Sequence, residues 1–433
     1  MSGSAQIFCC HGCGATVDIA HTLPFACPNI GNQSDDIDHV LVPELPPDRL
    51  DEKADLNPFI RYRRLISSYR LCRVLGLADE GWSEIVSRLG DRLLAVDGRN
   101  FRITPQSRQP VLADAIPTKP RIWVKDETGN VAGSHKGRHL MGVMLYLRVL
   151  ETTGHAAAQM LRKRRLAIAS CGNAALAAAV IARAADWPLD AFIPKEANAR
   201  VVKRLQELGT TINICERRPD DRGDPCMRSF REAVRNGSIP FSVQGPENGL
   251  AVEGGRTLAF EMAEMFGGEE TPETVYVQVG GGALASAIAQ GFRLAKQIGL
   301  LSKIPKLMLV QTAGCAPLAR AWSLLSDATL EDAVMHRSHF MRPWDETPSS
   351  AATGILDDET YDWWEALKGV RDTGGSVLVV EEATIVRAYE LARLHTTIRA
   401  SVTATAGLAG TISAGIAGET AAVIFSGSDQ YGT

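Results

Sequence analysis

Residues 131–140, VAGSHKGRHL, set a single lysine, Lys136, between a histidine and a glycine, directly after a Gly-Ser turn. An amine kept out of water loses its proton more readily and can form a Schiff base with a carbonyl. Standing alone, Lys136 reads equally well as a surface charge. A second candidate is VYVQVGGGALASAIAQGF (275–292), which reads strand, glycine turn, helix. Its glycines let the backbone approach a guest closely, and the helix that follows directs free amides and a positive dipole end at an anion. A phosphate is the natural guest, with a glycine turn serving packing alone as the plainer alternative. The stretch also satisfies G-x-G-x-x-A, but a dinucleotide site needs an acidic residue at the end of the next strand. That strand, KLMLVQT (306–312), carries Gln311 near its end and no carboxylate, so the dinucleotide reading fails.

A third candidate opens the chain. In CCHGCGATVDIAHTLPFACPN (9–29), Cys10 and Cys13 have the C-x2-C spacing of a zinc knuckle. Cys27 would begin a second pair, but Ile30 stands where the fourth ligand is expected; Cys9, His11, His21 or His39 could substitute. Cys10, Cys13 and Cys27 holding zinc is one reading, and a decayed ribbon that folds without metal is the other. Cys171, in ASCGNAA, invites a nucleophile assignment, yet reads better as a small residue filling a tight turn.

The elements that would position these groups alternate. RLAIAS (165–170), LDAFIP (189–194), TINIC (211–215), TVYVQVG (274–280), KLMLVQT (306–312), SVLVVE (376–381) and AAVIFSG (421–427) read as strands. NAALAAAVIARAADW (173–187) and ANARVVKRLQELG (197–209) read as helices, one stopped by Pro188 and the other by Gly209. Strands separated by crossover helices imply an α/β protein with parallel sheets covered on both faces. In such folds the chemistry sits at strand C-terminal ends, where SCGNAA (170–175), GGGALAS (280–286) and SGSDQ (426–430) fall.

At 433 residues the chain exceeds what one continuous core supports, so two sheets and two units are expected. The formal net charge of −4 suggests no general attraction to nucleic acid or anionic membrane. In RYRRLISSYRLCR (61–73), Leu65, Ile66, Tyr69 and Val74 fall at helical spacing, which predicts a helix with a solvated basic face rather than a phosphate-binding patch. Residues 31–58 are acidic and proline-rich and read as a linker or wrapping arm. No run is apolar enough to span a bilayer and the first residues lack the features of a secretory signal. The nine cysteines are scattered and odd in number, so reduced thiols and a cytoplasmic location are expected.

Taken together and in this order, the motifs resemble the fold-type II pyridoxal 5′-phosphate (PLP) enzymes, the tryptophan synthase β superfamily, and among them threonine synthases and threonine dehydratases. VKDETGNVAGSHKGR (124–138) resembles the segment ending in the Schiff-base lysine, ASCGNAALAAA (169–179) the asparagine loop, and GGGALAS the phosphate loop. EGGRTLAFEM (253–262), SSAATGILDD (349–358), VVEEATIVRAYELA (379–392) and IFSGSDQ (424–430) resemble further landmarks. The resemblance covers roughly residues 115–433, and the cysteine-rich start is similar to the ribbon that opens many threonine synthases.

The resemblance implies a two-domain fold: a ribbon-like segment and linker over 1–58, a large PLP-binding domain from 59–150 with 255–433, and a small domain over 151–254 carrying the asparagine loop. It implies that Lys136 holds PLP and removes the substrate's α proton, that Asn173 contacts the cofactor's O3′, and that Gly280, Gly281, Gly282, Ala283 and Leu284 cradle its phosphate. Ser170, Cys171 and Ala174 would hold the substrate carboxylate, and Ser426 would face the pyridine nitrogen. It further implies an amino-acid substrate, no nucleic-acid or membrane partner, and a homodimer.

Two features depart from the family's pattern: Thr403 stands where many relatives carry a glutamate, and the ribbon lacks its fourth ligand. The implied activity is that of an amino-acid lyase or synthase acting at the β or γ carbon, through an aminoacrylate-type intermediate in the dehydratase-like case. A threonine synthase would need a second phosphate site, for which Lys125, Arg138, Arg342 and His339 are candidates. A non-catalytic relative that keeps the fold as a binding or regulatory module is the alternative.

Overall fold

The computed structural model describes residues 7–31, 35–44, 48, 50, 55–216, 223–268 and 271–428. β1 (Ile7–Cys10), β2 (Thr16–Asp18) and β3 (Leu41–Glu44) form an antiparallel sheet in the order β2-β1-β3. The segment 31–58, expected as a linker or arm, therefore supplies the third strand of the ribbon over its described part. β4 (Gln106–Arg108) and β5 (Arg121–Asp126) begin a six-stranded sheet. β6 (Leu166–Ala169), β7 (Leu189–Pro194), β8 (Thr211–Cys215) and β9 (Ile239–Pro240) make a separate parallel sheet in the order β8-β7-β6-β9. β10 (Thr274–Gln278), β11 (Lys306–Thr312), β12 (Ser376–Val380) and β13 (Thr420–Phe425) complete the larger sheet in the order β12-β11-β10-β13-β5-β4. Its pairings are parallel except that of the edge strand β4 with β5.

That order places the site. β13 inserts between β10 and β5, so the segments leaving the C-terminal ends of β10, β13 and β5 meet: the glycine loop, Ser426 and the lysine turn. The loop after β6, which begins at Ser170, faces them from the other sheet.

Packing explains several sequence choices. The helix Lys136–Thr152 crosses the helix Ala251–Gly268 backbone to backbone. A Cβ on Gly254 would lie 2.0 Å from the carbonyl oxygen of Arg138, and one on Gly142 would lie 3.1 Å from the Cα of Gly254. The Lys136–Thr152 helix runs through residue 150, and its Leu140, Val143 and Leu147 share a core with Leu166 and Ile168 of β6. The helix Asn173–Ala184 is alanine-rich because nearly every face of it is buried.

The basic stretch 61–73 is not one helix with a solvated face. It breaks into the helix Pro58–Arg61, a 3-10 turn Arg63–Leu65 and the helix Ser67–Val74. Leu65, Ile66 and Tyr69 are buried as spaced, but Val74 is exposed. Arg61 is held by Glu264 through two hydrogen bonds of 2.8 and 2.9 Å, and Arg63 by Asp79 at 3.3 Å. Among the described residues no helix is long and apolar enough to cross a membrane.

Candidate active site

Lys136 is the first residue of its helix, and the turn before it is tightly specified. The Asn130 side chain accepts the Val131 amide, while Ala132 adopts a left-handed φ of 56° and donates its own amide to Asp97 at 2.9 Å. The backbone following β13 then closes on the turn: the His135 amide donates to the Ser426 carbonyl at 3.0 Å and the Ser428 amide to the Gly133 carbonyl at 2.8 Å. A non-glycine residue in this conformation costs roughly 1–3 kcal/mol and persists only where its surroundings over-determine it. The strain fixes where Lys136 points. Its side chain lines the cleft, and among the described residues its Nζ has no hydrogen-bond or ion-pair partner. Burial pushes its pKa down from the ordinary lysine value, with the carboxylates of Asp357 and Asp362 working in the opposite direction.

Beneath this turn lies a layer of paired charges. Lys125 Nζ donates to Glu261 at 2.6 Å and to the Thr104 carbonyl at 2.7 Å. Arg138 donates to Glu127 at 2.8 and 2.9 Å and to Glu261 at 2.6 Å. Burial works to lower the pKa of Arg138; Glu127 and Glu261 outweigh it and push it above the ordinary arginine value. Lys125 and Arg138 are thus committed to the core and fall away as candidates for a second phosphate. Of the other two, Arg342 pairs with Asp345 and His339 packs edge-on against Phe340; neither lines the cleft.

The remaining expected site residues do come together. Ser170, Cys171, Asn173, Ala174, the stretch Gly280–Leu284 and Ser426 line the same cleft as Lys136. Asp429 and Gln430, at the end of the SGSDQ loop, lie outside the described residues. Gly282 has φ 91°, and a Cβ there would meet the Thr360 methyl at 2.8 Å, so the turn into the helix Ala283–Gln297 requires glycine. Gly427 is bare for a related reason: a Cβ would press on Asn173 Nδ2 at 3.1 Å. The Cys171 thiol is pushed up by burial and by the nearby Asp224 and Asp357, the opposite of an activated nucleophile. Thr403 also lines the cleft, its hydroxyl accepting the Gly354 amide at 2.9 Å.

Three further groups line the cleft. Gln278, the last residue of β10, donates through Nε2 to Ser426 Oγ at 2.8 Å, leaving the serine's own proton free to be donated. Asp357 accepts the Gly281 amide, so the glycine loop is already aimed at negative charge; burial raises its pKa against the pull of Lys136. His135 sits with Nδ1 3.0 Å from the Ser426 carbonyl, which requires Nδ1 to carry the proton. Burial, then Lys136, depress its pKa well below the ordinary value, so the ring is neutral and Nε2 is a buried acceptor without a partner among the described residues. His135 is marked by its place beside Lys136, whereas Gln278 becomes visible only once β10 and β13 are known to be neighbours, and Asp357 only once it is seen against the glycine loop.

At the N-terminus, Cys10, Cys13 and Cys27 converge with His39, one of the possible substitutes for the missing ligand. Ile30, at the expected fourth position, is 46% exposed. Gln311 is structural: its Oε1 accepts the amides of Leu318 and Ala319 at the start of the helix Pro317–Leu324.

Open sheets, a lysine at a strained turn and an anion-seeking glycine loop define a fold-type II α/β enzyme. The chain belongs to the family of pyridoxal-phosphate dependent enzymes, which matches residues 99–427, and pyridoxal phosphate is its cofactor. It is 26% identical over 328 residues to the threonine synthase of Methanosarcina acetivorans, covering 74% of this chain and 72% of that protein. It is 24% identical over 315 residues to the threonine synthase of Mycobacterium tuberculosis, covering 72% and 76%. In fold it is similar to the processed form of threonine deaminase isoform 2 from Solanum lycopersicum, with a TM-score of 0.57 and 16% identity, covering 82% of this chain and 86% of that one.

Proposed function

We propose that the chain eliminates the β substituent of a small amino acid with an uncharged side chain, as a serine or threonine dehydratase does, with pyridoxal phosphate held at Lys136. The observation that carries this reading is the charge of the cleft. Among its described lining residues Lys136 is the sole Lys or Arg, accompanied by Glu196, Asp224 and Asp357. A substrate bearing a phosphate on its side chain would meet carboxylates there and no arginine fork.

The residues fit the cofactor. Lys136 offers an amine with no partner among the described residues, the helix opened by Gly282 offers an anion-binding end, and the Ser426 hydroxyl has a proton to give. When bound, pyridoxal phosphate supplies a sink for the electrons left at the substrate's α carbon. In the proposed arrangement Gly280, Gly281, Gly282, Ala283 and Leu284 take the phosphate, and Asn173 takes O3′. Ser426 hydrogen-bonds the ring nitrogen without protonating it. The Ser170–Ala174 loop, at the N-terminus of the Asn173–Ala184 helix, takes the substrate carboxylate, and the Lys136 amine, freed by substrate, removes the α proton. Serine or threonine would then lose water and, after hydrolysis, yield a keto acid and ammonia.

The two-unit division at residues 58, 150 and 254 belongs to the same proposal and is supported by the separate four- and six-stranded sheets. So do a homodimer and a cytoplasmic location. The first is supported by exposed Val111, Val386 and Leu394 on contacting helices, the second by nine free cysteines.

A second reading, threonine synthase, is favoured by the names of the sequence relatives. Incubation of the holoprotein with L-serine, L-threonine and O-phospho-L-homoserine separates the two. Keto acid and ammonia from the first two support the dehydratase reading; phosphate and threonine from the third overturn it in favour of the synthase. Turnover of none, with the cofactor bound, would leave the non-catalytic relative.

A further inference from the structure

We propose that Cys10, Cys13, Cys27 and His39 form a closed, structural zinc site that clamps the N-terminal ribbon across the two units and behind the wall of the cleft. The donor atoms of these four residues all lie within 4.8 Å of one another. Cys13 Sγ is 3.6 Å from Cys27 Sγ, and Cys10 Sγ is 3.6 Å from His39 Nδ1. With Zn–S near 2.3 Å and Zn–N near 2.0–2.1 Å, a tetrahedron has S···S edges of about 3.8 Å and S···N edges of about 3.6 Å. Both separations match those edges, and the first is far outside a disulfide bond of about 2.05 Å. All nine cysteines are free.

The surroundings are those of metal-bound sulfur. Backbone amides turn towards the thiols: those of Gly12 and Cys13 towards Cys10, that of Ala15 towards Cys13, and that of Asn29 towards Cys27. The Asn29 side-chain amide adds a further contact, 3.4 Å from Cys13 Sγ. On the far side of the imidazole, His39 Nε2 makes a charge contact of 3.4 Å with Asp35 without a hydrogen bond, and a carboxylate placed there favours the proton on Nε2, leaving Nδ1 as the ligand. Four protein ligands leave no open position, which separates this site from a catalytic zinc.

The site's place in the fold gives the clamp its purpose. The neighbour of His39, Asp38, accepts from His11 at 3.1 Å and from Arg337 at 3.2 Å, and Arg337 reaches on to Glu359 at 2.5 Å. The His11 ring lies 4.5 Å from that of Trp364. Glu359 lies within, and Trp364 just after, the segment from Asp357 to Asp362 that backs the glycine loop: Cβ atoms on Gly280 and Gly282 would meet Asp357 and Asp362. Towards the other unit, His155 donates to the Ala20 carbonyl at 3.1 Å and the Gly249 amide to the Phe25 carbonyl at 3.0 Å.

The test uses the reduced full-length protein expressed with zinc. Elemental analysis should find about one zinc per chain. Cobalt(II) exchanged into the site should show the visible bands of a tetrahedral thiolate centre. His39→Ala should weaken metal binding at least about tenfold, and Cys10→Ser with Cys13→Ser should abolish it. Should the double variant fail to fold, titration of the wild type with an organomercurial should release the zinc as the thiols are capped. A wild type that takes up neither zinc nor cobalt overturns the proposal, as does a His39→Ala protein that binds zinc as tightly as wild type. The visible band of the cofactor, read on the same samples, reports the PLP site independently.

Discussion

The lysine turn and the layer beneath it treat the same chemistry in opposite ways. Lys125 is buried on β5, whereas Lys136, at the start of the next long helix, opens on the cleft. Lys125 has a carboxylate at 2.6 Å and a carbonyl at 2.7 Å, whereas Lys136 has no hydrogen-bond or ion-pair partner among the described residues. A cleft amine whose pKa is pushed down and which has no partner among the described residues adds nothing to the fold, and that marks it as a group kept for reaction. The paired layer gives rigidity; the unpaired amine gives reactivity, and the first holds the second in place through Arg138, two residues along the same helix.

Breaking each region should produce different losses. Lys136→Ala should lower turnover by about a thousandfold or more while leaving the urea midpoint unchanged or raised, since no native partner is lost. Glu261→Gln should do the reverse in kind. It removes the charge shared by Lys125 and Arg138, and unfolding measurements should show a loss of about 3–5 kcal/mol. If Glu261→Gln were stable and Lys136→Ala unfolded, the contrast would be wrong.

A smaller effect sharpens the cleft side. Ser426→Ala removes the hydroxyl that Gln278 orients, a neutral hydrogen bond of about 1 kcal/mol, so kcat should fall about five- to tenfold with the cofactor still bound. Retention of full activity would remove Ser426 from the ring-facing role.

A last contrast lies in the pH dependence of stability. Asp362 is buried, its pKa pushed up to about 8 by desolvation. Its native form therefore keeps a proton that the unfolded chain loses above the ordinary value of 3.8, and stability falls as pH rises between 3.8 and about 8. Asp362→Asn, which keeps an acceptor for the Gly245 amide, should flatten that fall in thermal unfolding measured across the window. An identical slope in both proteins would show that the carboxylate is ionised in the fold.

Much of this arrangement was legible in the chain. Strands such as KLMLVQT and LDAFIP are buried parallel strands whose apolar runs stand out from the polar turns around them, and their bounds agree with expectation. β4 and β9 were not legible: QSR is an exposed antiparallel edge, and β9 is the dipeptide Ile239–Pro240. Lys136, the glycine loop and Ser426 announce themselves by unusual local sequence. Gln278 and Asp357 do not, and His39 stands out only as one of several possible fourth ligands, because what distinguishes each is a neighbour remote in the chain. For Gln278 the cause is the insertion of β13 beside β10; for His39 it is the pairing of β3 with β1, which returns an acidic segment to the cysteines. The basic stretch 61–73 misled for a related reason, since Glu264 and Asp79 decide what its arginines face.

The account turns on which amine carries the cofactor. The most direct measurement is reduction of the holoprotein with borohydride, followed by proteolysis and mass mapping of the pyridoxyl group. The expected result is a single modified residue, Lys136, with Lys125 untouched. A pyridoxyl group on any other lysine, or none on a protein supplied with the cofactor, would contradict it.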